Sequence, residues 1–441
     1  MTEIKKQIDI LASSKERWMN LSIKKRTKFI KTLRHLIVDK QNEIANAITL
    51  DTGKPVTESM MQEVSASLGM LKYFESNFPG WLKERQFKYF RPGFIFKKNI
   101  IKYDPLGIVA VISPANYPFS LPVMQTAFAL LCGNCVVLKP SEKAVHVNKV
   151  IISLFENSGL TPESVLVIEG DEKPAEEIIR HEEVRKIIFT GSYENGRKVT
   201  RLAAEHFKPV ILELGGDGPA IVLNDANLSL AAKSIIWSHC YSNYNSCIGT
   251  KIVFVQKAVI SEMKNLLEVE FSKINFGASD NTNTDAYIKY KKELNSLNVI
   301  EFTSEDEAIR KVNELPTGLS ASVWSNNIRR ARMLANKINC GMIWINDLSV
   351  GIPGIAWGGS KLSGWGRLFA RSAIPELTNT KTISIEKRFT SRPKFWQYPY
   401  VSDKYEITKV VNSIVFGKGS IKQITKVMGK YFKVLFKNHH K

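Results

Sequence analysis

Cysteine is scarce in this chain: five in 441 residues, an odd number without the spacing of a disulfide framework. That excludes a small disulfide-stapled secreted fold and points to a reducing compartment. Cys132 and Cys135 form a C-x-x-C around Gly133-Asn134, but no second Cys or His pair accompanies them. The pair therefore reads as a helix-to-strand turn, and no metal is expected. Long apolar runs are also missing. The most apolar stretch, 121–138, begins near Pro122 and is broken by Gln125, Gly133 and Asn134, which reads as a buried helix followed by a strand, not a membrane span. Behind Met1-Thr2-Glu3-Ile4-Lys5-Lys6 there is no apolar region of a secretory signal, so a cytoplasmic location is expected. There is no internal repeat, no low-complexity segment and no strand-linked G-x-G-x-x-G. Acidic residues are the minority, 42 against 62 Lys and Arg, for a net charge of +20. About half of that excess falls after residue 387, where twelve Lys and Arg face only Asp403 and Glu406. The charge thus characterises a tail, not the body.

What is present is an alternating pattern. Residues 5–80 read as helices, with Ile8, Leu11, Trp18, Leu21, Phe29, Leu33, Leu36 and Ile37 mostly three or four apart. Asp51-Thr52-Gly53-Lys54-Pro55 reads as a stop. A further helix carries Met61, Val64, Leu68, Leu71 and Phe74, its charges expected on a solvated face. From about residue 107 short apolar runs take over, at 107–112, 135–138, 164–168, 186–189 and 209–212, separated by helical patterns. Strands alternating with helices at this spacing predict βαβ units and a parallel sheet. Ligands of such sheets bind at the carboxyl ends of strands, where Asn116, Lys139, Ser192 and Glu213 fall. A second α/β region is expected over about 220–380, with 258–310 mostly helical and polar.

One stretch concentrates the chemistry. Ile211-Leu212-Glu213-Leu214-Gly215-Gly216 sets a carboxylate after an apolar strand, and 34 residues later Ser246-Cys247-Ile248-Gly249 presents a lone thiol. A thiol nucleophile and a carboxylate base are the parts of a covalent thioester mechanism. A free Cys of unknown context is usually just a small buried hydrophobe.

Six blocks in order make residues 1 to about 388 resemble the NAD(P)-dependent aldehyde dehydrogenase superfamily. They are Ile112-Ser113-Pro114-Ala115-Asn116-Tyr117-Pro118, Lys139-Pro140-Ser141-Glu142, Phe189-Thr190-Gly191-Ser192, Glu213-Leu214-Gly215-Gly216, the Cys247 loop, and Trp357-Gly358-Gly359-Ser360-Lys361-Leu362-Ser363-Gly364-Trp365-Gly366-Arg367. The resemblance implies an α/β fold: a Rossmann-like parallel-sheet cofactor domain (1–219, with the N-terminal helices), a second α/β catalytic domain (220–387) and a basic tail (388–441). It implies Cys247 as nucleophile, Asn116 as oxyanion donor and Glu213 as deacylating base. It implies NAD or NADP held by Ile112, Lys139, Ser141, Glu142, Thr190, Gly191, Ser192, Gly196 and Leu214, with Glu142 favouring NAD. It also implies assembly, as a homodimer or tetramer, through an extended arm.

The chain departs from the family pattern in three places. Tyr244-Asn245-Ser246 replaces the Gly and Gln before the thiol, and Asp217-Gly218 stands where a Lys usually follows the paired glycines. The span from Cys247 to Phe302 is short and has no Glu-x-Phe-Gly-Pro for the nicotinamide ribose, Glu293 being the nearest remnant. Two other readings stay open on the sequence: a degraded relative acting as a membrane-associated or oligomeric binding protein, and a thiol hydrolase with His239 as base. The substrate expected is an apolar aldehyde, with Tyr117, Trp237, Tyr241, Tyr244 and Trp357 as candidate walls. In the tail, Lys418, Lys422, Lys426, Lys430, Lys433, Lys437 and Lys441 recur three or four apart, with Ile421, Ile424, Met428, Phe432 and Leu435 on another face. That pattern suits an anionic membrane surface or a partner subunit equally, and nucleic acid less.

Overall fold

The computed structural model describes residues 2–88, 97–160, 162–274, 297–348, 351–386, 397–398, 400–417 and 429. Most of the basic stretch after Gly417, and residues 275–296 of the shortened span with Glu293 among them, therefore lie outside the described residues. The chain divides into two compact units, one of Met1–Lys83 with Tyr103–Thr380 and one of Glu84–Lys102 with Lys381–Lys441.

The first unit opens with helices α1 (Glu3–Met19), α2 (Ile23–Asp39), α3 (Gln41–Thr52) and α4 (Val56–Ser59). A π-helical turn, Met60–Ser65, leads into α5 (Ala66–Trp81). The turn corrects the expected face. Its wider i→i+5 winding rotates the following residues, so Met61 is 60% exposed and Glu63 is fully buried. The charges of this segment are not all on a solvated face.

Strands β1 (Arg85–Phe87) and β2 (Lys97–Pro105) precede β3 (Ile108–Ile112), α6 (Ser120–Leu131), β4 (Cys135–Lys139), α7 (Val145–Asn157), β5 (Val165–Val167), α8 (Glu172–Arg180), β6 (Val184–Thr190), α9 (Tyr193–Glu205) and β7 (Val210–Glu213). Strands β3 to β7 form one parallel sheet, in the order β5-β4-β3-β6-β7. Every residue of β3 and β4 is buried, as befits apolar runs covered by helices on both faces.

A second parallel sheet follows: β8 (Ala220–Val222), α10 (Leu228–Cys240), β9 (Ile252–Gln256), α11 (Ile260–Ser272), β10 (Asn298–Phe302), α12 (Glu305–Glu314), β11 (Thr317–Gly318), β12 (Ser320–Trp324), α13 (Ile328–Ala335) and β13 (Met342–Ile345). Its order is β10-β9-β8-β12-β13. Alternation along β8 builds both layers: Ala220 and Val222 join the core under α10 and α11, while Ile221 joins the one under α12 and α13. The described residues of 258–310 are mostly helical, as expected; β10 is the strand the sequence does not announce. This strand forms an edge of the sheet and buries only Phe302 fully, so its composition carries too little apolar signal to announce it.

β14 (Ser360–Lys361) pairs antiparallel with β11. In the second unit, β1, β2 and β15 (Thr378–Glu386) form a three-stranded sheet, and α14 spans Ser402–Phe416. No described helix is long and apolar enough to cross a membrane.

Candidate active site

Glu213 is the last residue of β7, and the C-terminal block fixes it there. Leu212 N–H donates to Trp365 O (2.9 Å), Leu214 N–H to Ser363 O (3.0 Å), and Ser363 Oγ–H to Gly215 O (2.7 Å). The block approaches so closely that a Cβ on Gly364, which sits at φ +107°, would stand 2.1 Å from Leu212 O. Only glycine fits that conformation and that distance. Glu213 is 5% exposed, and neither carboxylate oxygen has a hydrogen-bond partner. Burial pushes its pKa up to about 8, with the Arg367 guanidinium opposing.

Cys247 follows a loop that the N-terminal helices hold. Ser242, Asn243 and Tyr244 all adopt left-handed φ, from 51° to 60°. Three consecutive non-glycine residues there need outside support. Glu58 Oε1 accepts from Ser242 N–H (2.9 Å), Thr52 O from Asn243 Nδ2 (3.0 Å) and Gln62 Oε1 from Tyr241 OH (3.0 Å). The thiol is half-buried. Burial first and the Glu213 carboxylate second push its pKa up to about 12, while backbone N–H groups and Lys251 act the other way. The sequence names no cation beside the thiol; the fold supplies Lys251, whose Nζ donates to Gly216 O at 2.7 Å. Nothing in the spacing of Cys247 and Lys251 announces this, because the pairing depends on how β9 enters the second sheet.

Asn116 lies on the loop after β3. Its Nδ2 donates to Asn245 O at 2.7 Å, and Tyr117 OH bonds Ser246 Oγ at 3.2 Å. An amide nitrogen has two hydrogens, so this bond orients the side chain and leaves one N–H. The unusual Tyr244-Asn245-Ser246 is thus the segment that meets the Asn116 loop. Asp217, the other departure, accepts from Thr317 Oγ1 (2.5 Å), and its carbonyl accepts from Lys251 N–H (2.9 Å).

Asn116, Glu213, Cys247 and Lys251 open on one cavity of about 320 Å³, with Leu214 and Tyr244 in its wall. Of the five aromatics proposed as walls, only Tyr244 lines it. His239 does not line it; its Nδ1 faces Thr250 O at 2.7 Å. A second cavity, about 720 Å³, is lined by Ile112, Lys139, Ser141 and Glu142 on one side and by Thr190, Gly191 and Ser192 on another. Lys139 Nζ pairs with Glu142 at 3.0 Å. Ser192 caps α9 by accepting from Asn195 N–H (3.3 Å). The two cavities share Pro114, Ala115, Thr190, Gly191 and Ser192. Gly196 lines neither; it lets α9 pack on Leu214, whose Cδ2 would stand 2.7 Å from a Cβ there.

The larger cavity fits a dinucleotide. It lies at the carboxyl ends of β3 and β6, where the strand order reverses. A capped helix N-terminus opens onto it, a ready site for phosphate. Ser113 Oγ in its wall is buried without a partner, an unused polar contact.

The aldehyde dehydrogenase family model matches residues 1–292 and 296–383. The chain belongs to this family. Its relatives include a 4,4'-diapolycopene aldehyde oxidase from Methylomonas sp, 29% identical, with 92% of this chain and 86% of the relative covered. A betaine aldehyde dehydrogenase from Rhizobium etli is 26% identical over 87% of this chain and 89% of its own length. The crystal structure of an NAD-dependent aldehyde dehydrogenase from Sinorhizobium meliloti superposes with a TM-score of 0.81 at 25% identity, over 90% of this chain and 88% of that one. The protein is an oxidoreductase of the aldehyde dehydrogenase class and uses NAD or NADP.

Proposed function

We propose that this enzyme oxidises an apolar aldehyde to its carboxylic acid through a thioester on Cys247. The observation that carries the reading is the shared wall: the cavity holding thiol, carboxylate and amide runs into the dinucleotide-sized one. Lys139, Ser141 and Glu142 would hold the adenosine ribose, and Gly191 and Ser192 the pyrophosphate, with Ile112, Thr190 and Leu214 nearby. Glu142, already paired with Lys139, favours NAD, because a 2′-phosphate would meet its carboxylate. A nicotinamide cofactor held by these residues would supply the hydride acceptor that the oxidation needs.

The protein's own residues do the rest. The Cys247 thiolate adds to the carbonyl carbon, and the Asn116 amide with backbone N–H groups meets the charge on its oxygen. Lys251 favours the thiolate, which its buried setting otherwise opposes. Once the thioester exists, Glu213 takes a proton from water, and the hydroxide displaces the Cys247 sulfur as a thiolate. A carboxyl group with a pKa near 8 has the basicity this needs. The span after Cys247, with no Glu-x-Phe-Gly-Pro, leaves cofactor binding to rest on the first sheet. The cysteine usage supports a cytoplasmic enzyme, the family an assembly of two or four chains, and the lysine spacing a tail that contacts anionic lipid.

The test is oxidation itself. Purified protein with NAD or NADP and a series of aliphatic and aromatic aldehydes should form reduced cofactor, and Glu213→Gln should accumulate an acyl adduct on Cys247, read by intact-protein mass spectrometry. An adduct elsewhere, or turnover in Cys247→Ala, would refute the assignment. For the tail, a chain ending at Arg388 should lose co-sedimentation with anionic vesicles; unchanged binding would dismiss that part.

A further inference from the structure

Lys54 and Glu63 form an ion pair at 2.7 Å with side chains 2% and 0% exposed. Burying two charges costs desolvation that their attraction only partly returns, and an apolar pair of similar volume would be about as stable. The pair's remaining side-chain contacts show what it is for. Lys54 Nζ also donates to Asn116 O at 2.6 Å and lies 4.2 Å from the centre of the Tyr117 ring. Glu63 Oε2 accepts from Phe119 N–H (2.9 Å) and Ser120 N–H (3.1 Å), capping α6, which has no side-chain cap of its own. All four contacts fall within residues 116–120. From that segment Asn116 and Tyr117 reach Asn245 and Ser246, the two residues before Cys247.

We propose that Lys54 and Glu63 are positioning residues for acyl transfer. The buried pair holds the Asn116 segment so that its amide meets the oxygen of a group being passed to Cys247. This rests on Cys247 as nucleophile and Asn116 as donor. A site held by hydrogen bonds to backbone, itself locked by buried charges, keeps the donor within the few tenths of an ångström that transition-state stabilisation requires.

The experiment uses the full chain without added cofactor and compares two reactions of the same thiol. In acylation by p-nitrophenyl acetate, the sulfur bonds the carbonyl carbon, charge develops on the carbonyl oxygen, and p-nitrophenolate leaves as the thiol proton passes to solvent. In alkylation by iodoacetamide, the sulfur displaces iodide at carbon and no oxyanion forms. Lys54→Met should slow the acylation burst by about 10²-fold and leave alkylation unchanged. In an Asn116→Ala background it should add no further loss. Lys54→Met/Glu63→Gln, which keeps an acceptor for Phe119 and Ser120 without a lone buried charge, should behave the same if the single variant folds poorly. Equal loss of both reactions, an unaffected burst, or losses that multiply with Asn116→Ala would overturn the proposal. Acylation that survives in Cys247→Ala or is unchanged in Asn116→Ala would instead bring down the parent reading, and this inference with it.

Discussion

The two five-stranded sheets share one topology and differ in what occupies the point where the strand order reverses. In the first, between β3 and β6, the chain leaves the Ser113 hydroxyl without a partner and presents Gly191, and two connected cavities result. In the second, between β8 and β12, the same place is filled. Asp225 accepts from Ser325 Oγ (2.8 and 2.9 Å), Asn327 N–H (3.1 Å) and Arg330 Nη1 (3.1 Å), and Arg330 Nε turns to Glu305 (2.5 Å). A doubly wound sheet makes a crevice at its switch point by geometry alone. Whether it becomes a binding site depends on whether the local side chains satisfy one another there or leave polar atoms and backbone facing a gap.

The contrast breaks if the open crevice is not where the reaction runs. Cys247→Ala should reduce aldehyde oxidation by on the order of 10⁴-fold or more, followed by cofactor absorbance, with the melting transition retained. Glu213→Gln should slow deacylation by about 10²- to 10³-fold, seen in stopped-flow as a burst of one equivalent of reduced cofactor and then a stall. Gly191→Val should weaken cofactor binding by about 10²-fold in a fluorescence titration, since a Cβ there already meets the Phe189 ring at 2.7 Å; Cys247 alkylation should not change.

Acidity sharpens the contrast further. With Glu213 raised to about 8, deacylation should climb about tenfold per pH unit below that value and level off above it. Folding should lose stability over the same interval, because the native carboxyl keeps its proton from about pH 4.3, where the unfolded one releases it, up to about 8. Glu213→Gln should therefore melt higher than the parent at pH 8 and at the same temperature at pH 4. The smallest catalytic effect belongs to the filled crevice. Asp225→Ala should cost about 1–3 kcal/mol of stability in denaturant unfolding and leave the KM for cofactor unchanged; a shifted KM would erase the distinction between the sheets.

Much of this was legible beforehand. The strands of the first sheet are near-continuous apolar runs, so composition places them, and the residues following them line the cavities. Glu213 and Cys247 were legible because each stands alone in an apolar or small-residue setting. β10 was not, because an edge strand needs only one buried residue. Glu63 was not, because a single π-helical turn changes which residues of the helix face inward. Lys54 read as part of a helix stop, and nothing local says that a lysine beside Gly53 and Pro55 reaches the carbonyl of Asn116, 62 residues later.

By itself, then, the chain determines which segments become strands and helices and which reactive groups stand at strand ends, since periodicity and burial are local properties. The tertiary structure alone decides the acidities and alignments. Glu213 titrates near 8 and Cys247 near 12 because the β7 terminus, the C-terminal block and the thiol loop close on one another. The Asn116 amide faces the thiol loop because a buried charge pair from the N-terminal helices holds its backbone. Those effects depend on desolvation and on distances between segments remote in sequence, which no spacing along the chain encodes.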